Sequence, residues 1–440
     1  MNGAKPLPGD IEATMTRITH VHAREVLDSR GQPTVEVEIA CDNGVVSSAI
    51  VPSGASTGAA EAHELRDGDP QRYAGRGVLK AVANVREVLG PAVCGLDPAD
   101  QTAIDARLLE LDNTSQKTRL GGNALLGVSL AALHAGAASR GVWLYEHVAE
   151  LYRPLRPAGA APLVPRMPMP MTNMISGGLH AGGNLDFQDV LILPVGAKNY
   201  ATGLEWIVST YRELGRLLSE RGFEGRLVGD EGGFGPRLSG PREALQLIVQ
   251  AIEPAGLAPR LDIEIALDVA ATHFFDGTCY RLKATGDERL SADQMIDRLE
   301  QLVDEFPIVS IEDGLADEDW AGWQRLTARL GSRVRLVGDD LFATNPARLQ
   351  RGIDQHVASA VLIKVNQIGT ISETFATMAL AEAAGYRRVV SARSGETEDW
   401  TIADLAVGTA AEEIKIGSIV RSERLAKYNR LLKIAERLDS

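Results

Sequence analysis

Short apolar runs that each end on charged residues most constrain what this chain can fold into. The run IVSI ends on Glu312 and Asp313, and the run IEIAL ends on Asp268. Short β-branched apolar runs predict buried strands. Carboxylates at the end of a buried strand are costly unless a cation meets them. The sequence therefore predicts buried strands whose ends meet a cationic partner.

The same design recurs further along the chain. Asp339, Lys364, Arg393 and Lys415 follow Glu312 at intervals of 22 to 29 residues, each after another apolar run. One strand, one helix and two loops need about that length. Repeated βα units with polar residues at the strand ends predict an α/β fold, a β/α barrel with its active site on that face.

Three of these acids fall on strands expected to be neighbours: Asp268, Glu312 and Asp339. Such a set of hard oxygen ligands suits Mg²⁺. The alternative is that each acid caps the following helix. Capping explains any single acid better than it explains the whole series.

Composition and charge limit the classes of partner. The chain has 440 residues, enough for two domains, and a net charge of −14. That charge disfavours nucleic acid and anionic membrane surfaces as partners. A small anionic substrate can still bind where a metal and Lys or Arg residues are concentrated in one pocket.

The cysteines and the N-terminal sequence indicate the cellular compartment to expect. Cys41, Cys94 and Cys279 are scattered without metal-type spacing, so we expect reduced thiols in a cytoplasmic protein. No stretch has the pattern of a transmembrane helix or of a secretory signal. Residues 1–16 are predicted to form a disordered extension.

The pattern predicts a smaller domain before the barrel. Residues 17–40 read as two strands joined by a turn, and residues 51–58 as a mobile Gly/Ser loop, or a plain hairpin connection. Helical periodicity covers residues 77–89 and 121–141. A Pro- and Ala-rich stretch then marks a boundary. We therefore predict an α+β capping domain over residues 17–155 and a barrel over 156–440.

Further polar residues lie in glycine-rich turns. His180 follows one such turn, Gln188 and Asp189 precede an apolar run, and Glu231 follows Asp230 in the turn VGDEGGF. A lone His is more often structural, and Asp230 alone could be a helix cap. The acid pair among glycines favours a functional site. The charged run at 421–429 predicts a helix, mostly at the surface or at a subunit contact.

Together these residues resemble the enolase family over nearly the whole chain. The matching motifs occupy residues 28–34, 53–58, 64–67, 229–233, 310–313, 338–341, 364–370, 393–399 and 421–429. The resemblance implies a small α+β capping domain, a modified β/α (TIM-like) barrel, two Mg²⁺ ions and a homodimer or higher homo-oligomer.

The resemblance also implies roles for individual residues. The first Mg²⁺ would bind Asp268, Glu312 and Asp339, and Ser56 would help to hold the second. Lys364 would take the C2 proton of a phosphoglycerate. Glu231 would protonate the group that leaves C3. The remaining implied active-site residues are His180 and Gln188, the phosphate binders Arg393 and Ser394, and the substrate-binding Lys415.

Three positions depart from the family pattern. The chain has Asp189 where the pattern has Glu, Ala392 where it has His, and His273 where it usually has Glu. Sequence drift would account for His273. The other two both fall beside the leaving group and its acid. Glu to Asp withdraws a carboxylate by about 1.5 Å, and a misplacement of about 1 Å can cost on the order of a hundredfold in rate.

These departures make sense if the leaving group, or a substituent beside it, is larger than hydroxide. We therefore hypothesise C2 deprotonation and β-elimination to an enolpyruvate ester on an altered substrate. One relative of this kind is carboxyphosphonoenolpyruvate synthase of phosphonate antibiotic biosynthesis, which would use a CMP-activated phosphonoformyl group. The alternatives are a conventional enolase and an inactive enolase-fold binding protein.

Overall fold

The computed structural model describes residues 15–54, 58, 60–284 and 286–439. A small N-terminal domain carries an antiparallel sheet in the order β1-β2-β3, with β1 at Ile18–Leu27, β2 at Pro33–Cys41 and β3 at Val46–Ile50. Its helices are α1 (Leu79–Asn84), α2 (Gly90–Val93), α3 (Gln101–Asp112), α4 (Gly122–Ser139) and α5 (Leu144–Tyr152). The predicted strand pair over 17–40 and the helix over 121–141 are confirmed.

Packing in this domain follows the two periodicities of its sequence. Val35, Val37 and Ile39 alternate along β2 and are fully buried. Helix α4 packs against β2 and β3, and its Gly127 allows a close approach. A Cβ there would lie 2.6 Å from a methyl carbon of Val37.

The rest of the chain forms the closed eight-stranded barrel that the strand-end pattern predicts. Around the barrel the order is β10-β11-β12-β13-β4-β5-β6-β9, and β7-β8 is a separate hairpin. The strands are β4 (Met169–Ser176), β5 (Asp189–Leu193), β6 (Glu264–Asp268), β7 (Tyr280–Leu282), β8 (Glu288–Leu290), β9 (Ile308–Glu312), β10 (Arg335–Gly338), β11 (Ala360–Ile363), β12 (Arg387–Ser391) and β13 (Glu413–Gly417).

Helices follow most of the barrel strands. They are α6 (Tyr200–Glu220), α7 (Pro241–Ile252), α8 (Ala292–Glu305), α9 (Trp320–Leu330), α10 (Pro346–Asp354), α11 (Val365–Ile368), α12 (Ile371–Ala383), α13 (Thr401–Gly408) and α14 (Ser422–Leu438). Apolar side chains from the strands, among them Leu191, Val337 and Leu362, fill the barrel interior as a cluster of their own. The barrel is therefore a packed core, and its polar residues are confined to the ends.

Strand β5 runs in the opposite direction to the other barrel strands. It pairs antiparallel with both β4 and β6, and every other barrel pairing is parallel. Asp189, the first residue of β5, is therefore level with Ser176 and Asp268, the last residues of β4 and β6. Gln188 and Asp189 precede their strand yet lie at the same end of the barrel as the acids that follow theirs.

Two further expectations can be compared with the structure. The three cysteines are unpaired, as predicted. No single helix in the described part of the chain is long and apolar enough to cross a membrane. Gly122–Ser139 and Leu144–Leu155 reach that length only as a pair bent by 107°.

Candidate active site at the carboxyl ends of the barrel strands

Lys415 joins two of the strand-end acids. Asp268 and Glu312 are neighbours in the β6–β9 register. The ammonium of Lys415 donates to Asp268 Oδ2 at 2.7 Å and to both oxygens of Glu312 at 2.8 Å. All three residues are buried. The cationic partner that the acid-ended strands require is thus Lys415, in the middle of β13.

A second lysine meets the next acid. Lys364 Nζ donates to Asp339 Oδ2 at 2.5 Å, and Gln367 Nε2 donates to Asp339 Oδ1 at 3.1 Å. The neighbouring Asp313 accepts the backbone N–H groups of Asp339 and Asp340 at 2.9 and 2.8 Å. Asp313 therefore fixes the turn that presents Asp339.

Buried negative charge at this end exceeds what the two lysines offset. Burial and the charge of Asp268 raise the pKa of Glu312 to about 8. Burial and the charge of Asp339 raise the pKa of Asp340 to about 7. A crowded set of carboxylate oxygens with incomplete compensation fits a hard divalent cation such as Mg²⁺.

The predicted metal ligands are only partly gathered together. Asp268, Glu312 and Asp339 lie on adjacent strands, as expected. Among the described residues, however, ligand oxygens within 4.8 Å of one another group Asp339 with Asp313 and Asp340. Lys415 holds the other two acids. Ser56 lies outside the described residues.

A third cluster forms where β5 begins. Asp189 is fully buried, and its two oxygens accept hydrogen bonds from Ser176 Oγ at 2.6 Å and from His180 Nδ1 at 2.8 Å. The other ring nitrogen of His180 lies 3.9 Å from Glu231 Oε1. Asn173 Nδ2 donates to the second oxygen of Glu231 at 3.0 Å. His180 therefore stands between two carboxylates.

This arrangement favours a protonated histidine and an ionised glutamate. Burial lowers the pKa of His180, but the charges of Glu231 and Asp189 outweigh burial and raise it to about 9. Burial raises the pKa of Glu231, but His180 and the cations Arg424, Lys415 and Lys364 lower it to about 2. At neutral pH the proton of this pair resides on His180.

The loop after β12 carries the predicted phosphate binders. Arg393 Nη1 donates to Asn366 Oδ1 at 2.7 Å and to Glu61 Oε2, from the small domain, at 3.3 Å. Ser394 Oγ accepts from Arg30 Nη1 at 3.2 Å. The end of the site that is predicted to bind phosphate is therefore built by both domains.

The charged helix α14 supports this loop. Residues 421–429 were expected mostly at the surface or at a subunit contact, and four of the nine, Glu423, Arg424, Lys427 and Tyr428, are instead buried within the chain. Arg424 and Lys427 are at most 1% exposed. Arg424 donates to the carbonyl oxygens of Arg393 and Ser394 at 2.6 and 2.7 Å. Lys427 lies 2.7 Å from Glu396, which in turn accepts the N–H of Arg393. These charges position the loop.

One cavity unites most of the predicted site. It is also lined by His273, which the sequence left without a role, and by Asp313 and Asp340. The predicted residues that line it are His180, Gln188, Glu231, Asp268, Asp339, Lys364, Ala392, Arg393, Ser394 and Lys415.

Two predicted residues stand behind the cavity. Glu312 does not line the cavity but hydrogen-bonds Lys415, which does. Asp189, which was predicted as a catalytic residue beside the leaving group, lies behind His180. The shorter carboxylate still reaches its histidine. Asp189 is therefore a positioning residue in this structure.

Several residues of the site were missed from the sequence. Asp313 and Asp340 each directly follow a predicted acid, and that adjacency was the available signal. Glu61, Asn366 and Arg30 meet the site through tertiary contacts. Arg30 and Asn366 lie in the motifs 28–34 and 364–370, but Glu61 lies outside every matching motif.

Two family models match the chain. Residues 18–148 match the model "Enolase, N-terminal domain". Residues 165–440 match the model "Enolase, C-terminal TIM barrel domain". The strand order, the reversed β5 and the lysine–carboxylate cavity occupy the portions of the chain that these two models cover. The chain belongs to the enolase family.

Proposed function

We propose that this enolase-family enzyme removes the C2 proton of a phosphoglycerate-type substrate and expels the C3 substituent, which forms an enolpyruvate ester. The observation that carries the proposal is the placement of Lys364 relative to Glu231 and His180. Lys364 follows β11, whereas His180 follows β4, three places away around the barrel, and Glu231 accepts a hydrogen bond from Asn173 of β4. A base and a proton donor thus face one cavity from different sides.

Lys364 is the proposed base. Burial disfavours its ammonium form, but Asp339 outweighs burial and raises the pKa of Lys364. The lysine must therefore release a proton and give up its contact with Asp339 before it can accept the C2 proton. Asp268, Glu312 and Asp339 would hold Mg²⁺, with Ser56 at a second ion. Bound Mg²⁺ would supply stabilisation of the negative charge that develops on the substrate carboxylate.

Glu231 and His180 are the proposed acid side. The pair shares one proton beside the departing group. Asp189 accepts a hydrogen bond from the ring of His180 and is itself held by Ser176. Arg393, Ser394, Gln188 and Lys415 would bind the anionic groups of the substrate. All four line the same cavity.

The two departures from the family pattern support an altered substrate. Ala392 lines the cavity with a methyl group where the pattern has a larger imidazole. Both carboxylate oxygens of Asp189 already accept hydrogen bonds, from His180 and from Ser176. The acid side therefore keeps its proton donor but has fewer polar groups and smaller side chains than the pattern provides.

The best specific candidate is carboxyphosphonoenolpyruvate synthesis. The C2 hydroxyl of 3-phosphoglycerate would attack the phosphorus of CMP-phosphonoformate, and CMP would leave. Lys364 would then take the C2 proton, the C3–O bond would break, and phosphate would depart with that electron pair. A phosphate leaving group needs less help from a general acid than hydroxide does.

The first test is dehydration of 2-phosphoglycerate with Mg²⁺, followed by absorbance of the enolpyruvate product. The proposal predicts no turnover with this substrate. It predicts release of CMP when CMP-phosphonoformate is supplied with 3-phosphoglycerate, whose C2 hydroxyl is free, and no release with 2-phosphoglycerate, whose C2 oxygen carries the phosphate. Turnover of 2-phosphoglycerate in the range of about 1–10³ s⁻¹ would show a conventional enolase instead.

A double variant tests the meaning of the two substitutions. Asp189→Glu with Ala392→His should raise 2-phosphoglycerate turnover from the wild-type background if the leaving-group side alone separates this chain from an enolase. Asp189→Asn with Ala392 unchanged is the control, because it keeps the size of the side chain and removes its charge. An inactive double variant that still binds Mg²⁺ would refute the leaving-group argument.

A further inference from the structure

A second polar cleft lies at the opposite end of the barrel, where the parallel strands begin. It encloses about 990 Å³ and is covered in part by the segment that joins the two domains. The strands between it and the candidate active site are four or five residues long, about 15 Å. The cleft is therefore separate from the site described above.

The charge of this cleft contrasts with that of the whole molecule. Five arginines and three glutamates line it, whereas the chain carries a net charge of −14. Some of these charged side chains bond to one another or to backbone carbonyl groups. Arg388 donates to Glu412 at 2.9 Å and to the carbonyl of Ala410 at 3.0 Å, and Arg156 donates to Glu382 at 2.9 Å.

The remaining part of the cleft contains buried polar atoms without hydrogen-bond partners among the described residues. Arg335 and Arg387 both approach one oxygen of Glu413, Oε1, at 3.0 and 3.4 Å. The other oxygen of Glu413 is buried without a partner among the described residues, and so are Nε and Nη2 of Arg335 by hydrogen-bond geometry. Glu413 is only 2% exposed. Leaving buried charged groups unsatisfied is costly.

The pKa shifts of Arg335 and Glu413 agree with this incomplete hydrogen bonding. Burial lowers the pKa of Arg335, although Glu413 and Glu264 both raise it. Burial raises the pKa of Glu413, although Arg335 and Arg387 lower it. Neither group is fully compensated by its neighbours.

A ligand that completes this cluster must offer two things at once. It must present acceptor oxygens to the guanidinium donors of Arg335 and Arg387, and it must donate one hydrogen bond to Oε2 of Glu413. Guanidinium groups bind tetrahedral oxyanions through paired hydrogen bonds. Hydrogen phosphate has the acceptor oxygens and also keeps an O–H group at neutral pH. Sulfate has the same shape and no such proton.

We propose that the cleft bounded by Arg335, Arg387 and Glu413 is a binding site for inorganic phosphate that selects the protonated oxyanion. Glu413 is the selecting residue, because its unpaired oxygen accepts the P–OH and repels an anion that lacks one. The proposal depends on neither the reaction nor the metal assigned to the other end of the barrel.

Calorimetric titration of the metal-free full-length protein at pH 7, with phosphate and with sulfate, tests this site. We expect phosphate to bind at least about tenfold more tightly than sulfate, since one charge-assisted hydrogen bond is lost with sulfate. Glu413→Gln should abolish the preference, because its amide N–H₂ can donate to sulfate. Equal affinities in the wild-type protein would overturn the proposal.

Matched variants locate the binding. Arg387→Gln, at a half-exposed side chain that can be replaced without disturbing the core, should weaken phosphate binding at least fivefold. Arg333→Gln should not change it, because Arg333 pairs with Glu300 and Asp304 outside the cleft. If Arg393→Gln removes phosphate binding while Arg387→Gln does not, phosphate occupies the candidate active site and the proposal is wrong.

Discussion

At the scale of single residues, the candidate site depends on charges that never meet the cavity. Lys427 is an example. It is 1% exposed, lies 2.7 Å from Glu396, and donates to the carbonyl oxygens of Thr397 and Glu423 at 2.6 and 3.0 Å. Glu396 in turn accepts the N–H of Arg393. A helix residue thus supports the backbone of the proposed anion-binding loop.

Lys427→Met should therefore be strongly destabilising. It leaves the carboxylate of Glu396 buried without its cation, which costs about 3–5 kcal/mol of the free energy of unfolding. Lys433→Met, on the exposed face of the same helix, should change it by less than about 0.5 kcal/mol. Urea denaturation of both variants measures the difference. Similar small losses in the two would show that Lys427 has no structural role.

Individual residues also show which parts of the candidate site could be predicted from the sequence. Apolar runs located the strand ends, so Asp268, Glu312 and Asp339 were placed correctly at one end of the barrel. The runs could not decide which of two adjacent acids lines the cavity, because both follow the strand. Asp313 lines it and Glu312 stands behind Lys415. That choice is made by the turn, where Asp313 has a φ of 42°.

At the scale of elements, the reversed strand is the feature that local patterns did not reveal. The apolar run of β5 is buried on both faces, so its sequence carries no sign of direction. The direction places Asp189 beside Ser176 and Asp268. The burial of Arg424 and Lys427 in α14 was also unpredictable, since charged helix positions usually face solvent and only the loop above them changes that.

A buried histidine in helix α5 should make the stability of the protein depend on pH. His147 is fully buried there, and its Nδ1 lies 3.1 Å from a guanidinium nitrogen of Arg140. Burial and the charge of Arg140 lower its pKa to about 4, from 6.5. Between these values the unfolded chain binds more protons than the folded one. The stability contributed by neutral His147 is therefore complete above pH 6.5 and lost as the pH falls towards 4.

His147→Gln should remove that part of the pH dependence, which amounts to about 3 kcal/mol between pH 6.5 and 4. The measurement is the free energy of unfolding at several pH values for the wild type and the variant. His356→Gln, at an exposed position, serves as the control. Parallel curves for the wild type and His147→Gln would mean that His147 does not titrate differently in the folded state.

At the scale of the whole molecule, buried polar contacts join the small domain to the barrel. Asp105 of α3 accepts the backbone N–H of Ser372 at 2.8 Å. Asp404 of α13 accepts the N–H of Tyr145, at the start of α5, at 3.0 Å, and it also pairs with Arg430 of α14 at 2.7 Å. Separating the domains would expose all of these groups at once, so we infer that the two domains unfold together.

Asp404→Ala tests this coupling, since it leaves the guanidinium of Arg430 and the N–H of Tyr145 without their acceptor. We expect a loss of about 3–5 kcal/mol. Hydrogen exchange should report the same loss for amides in β2 of the small domain and in β11 of the barrel, because cooperative units lose protection as one. Asp354→Ala, on the exposed face of α10, should leave both unchanged. If exchange accelerates in β2 and stays slow in β11, the small domain opens by itself, and the Arg393–Glu61 contact that closes the candidate site would open with it.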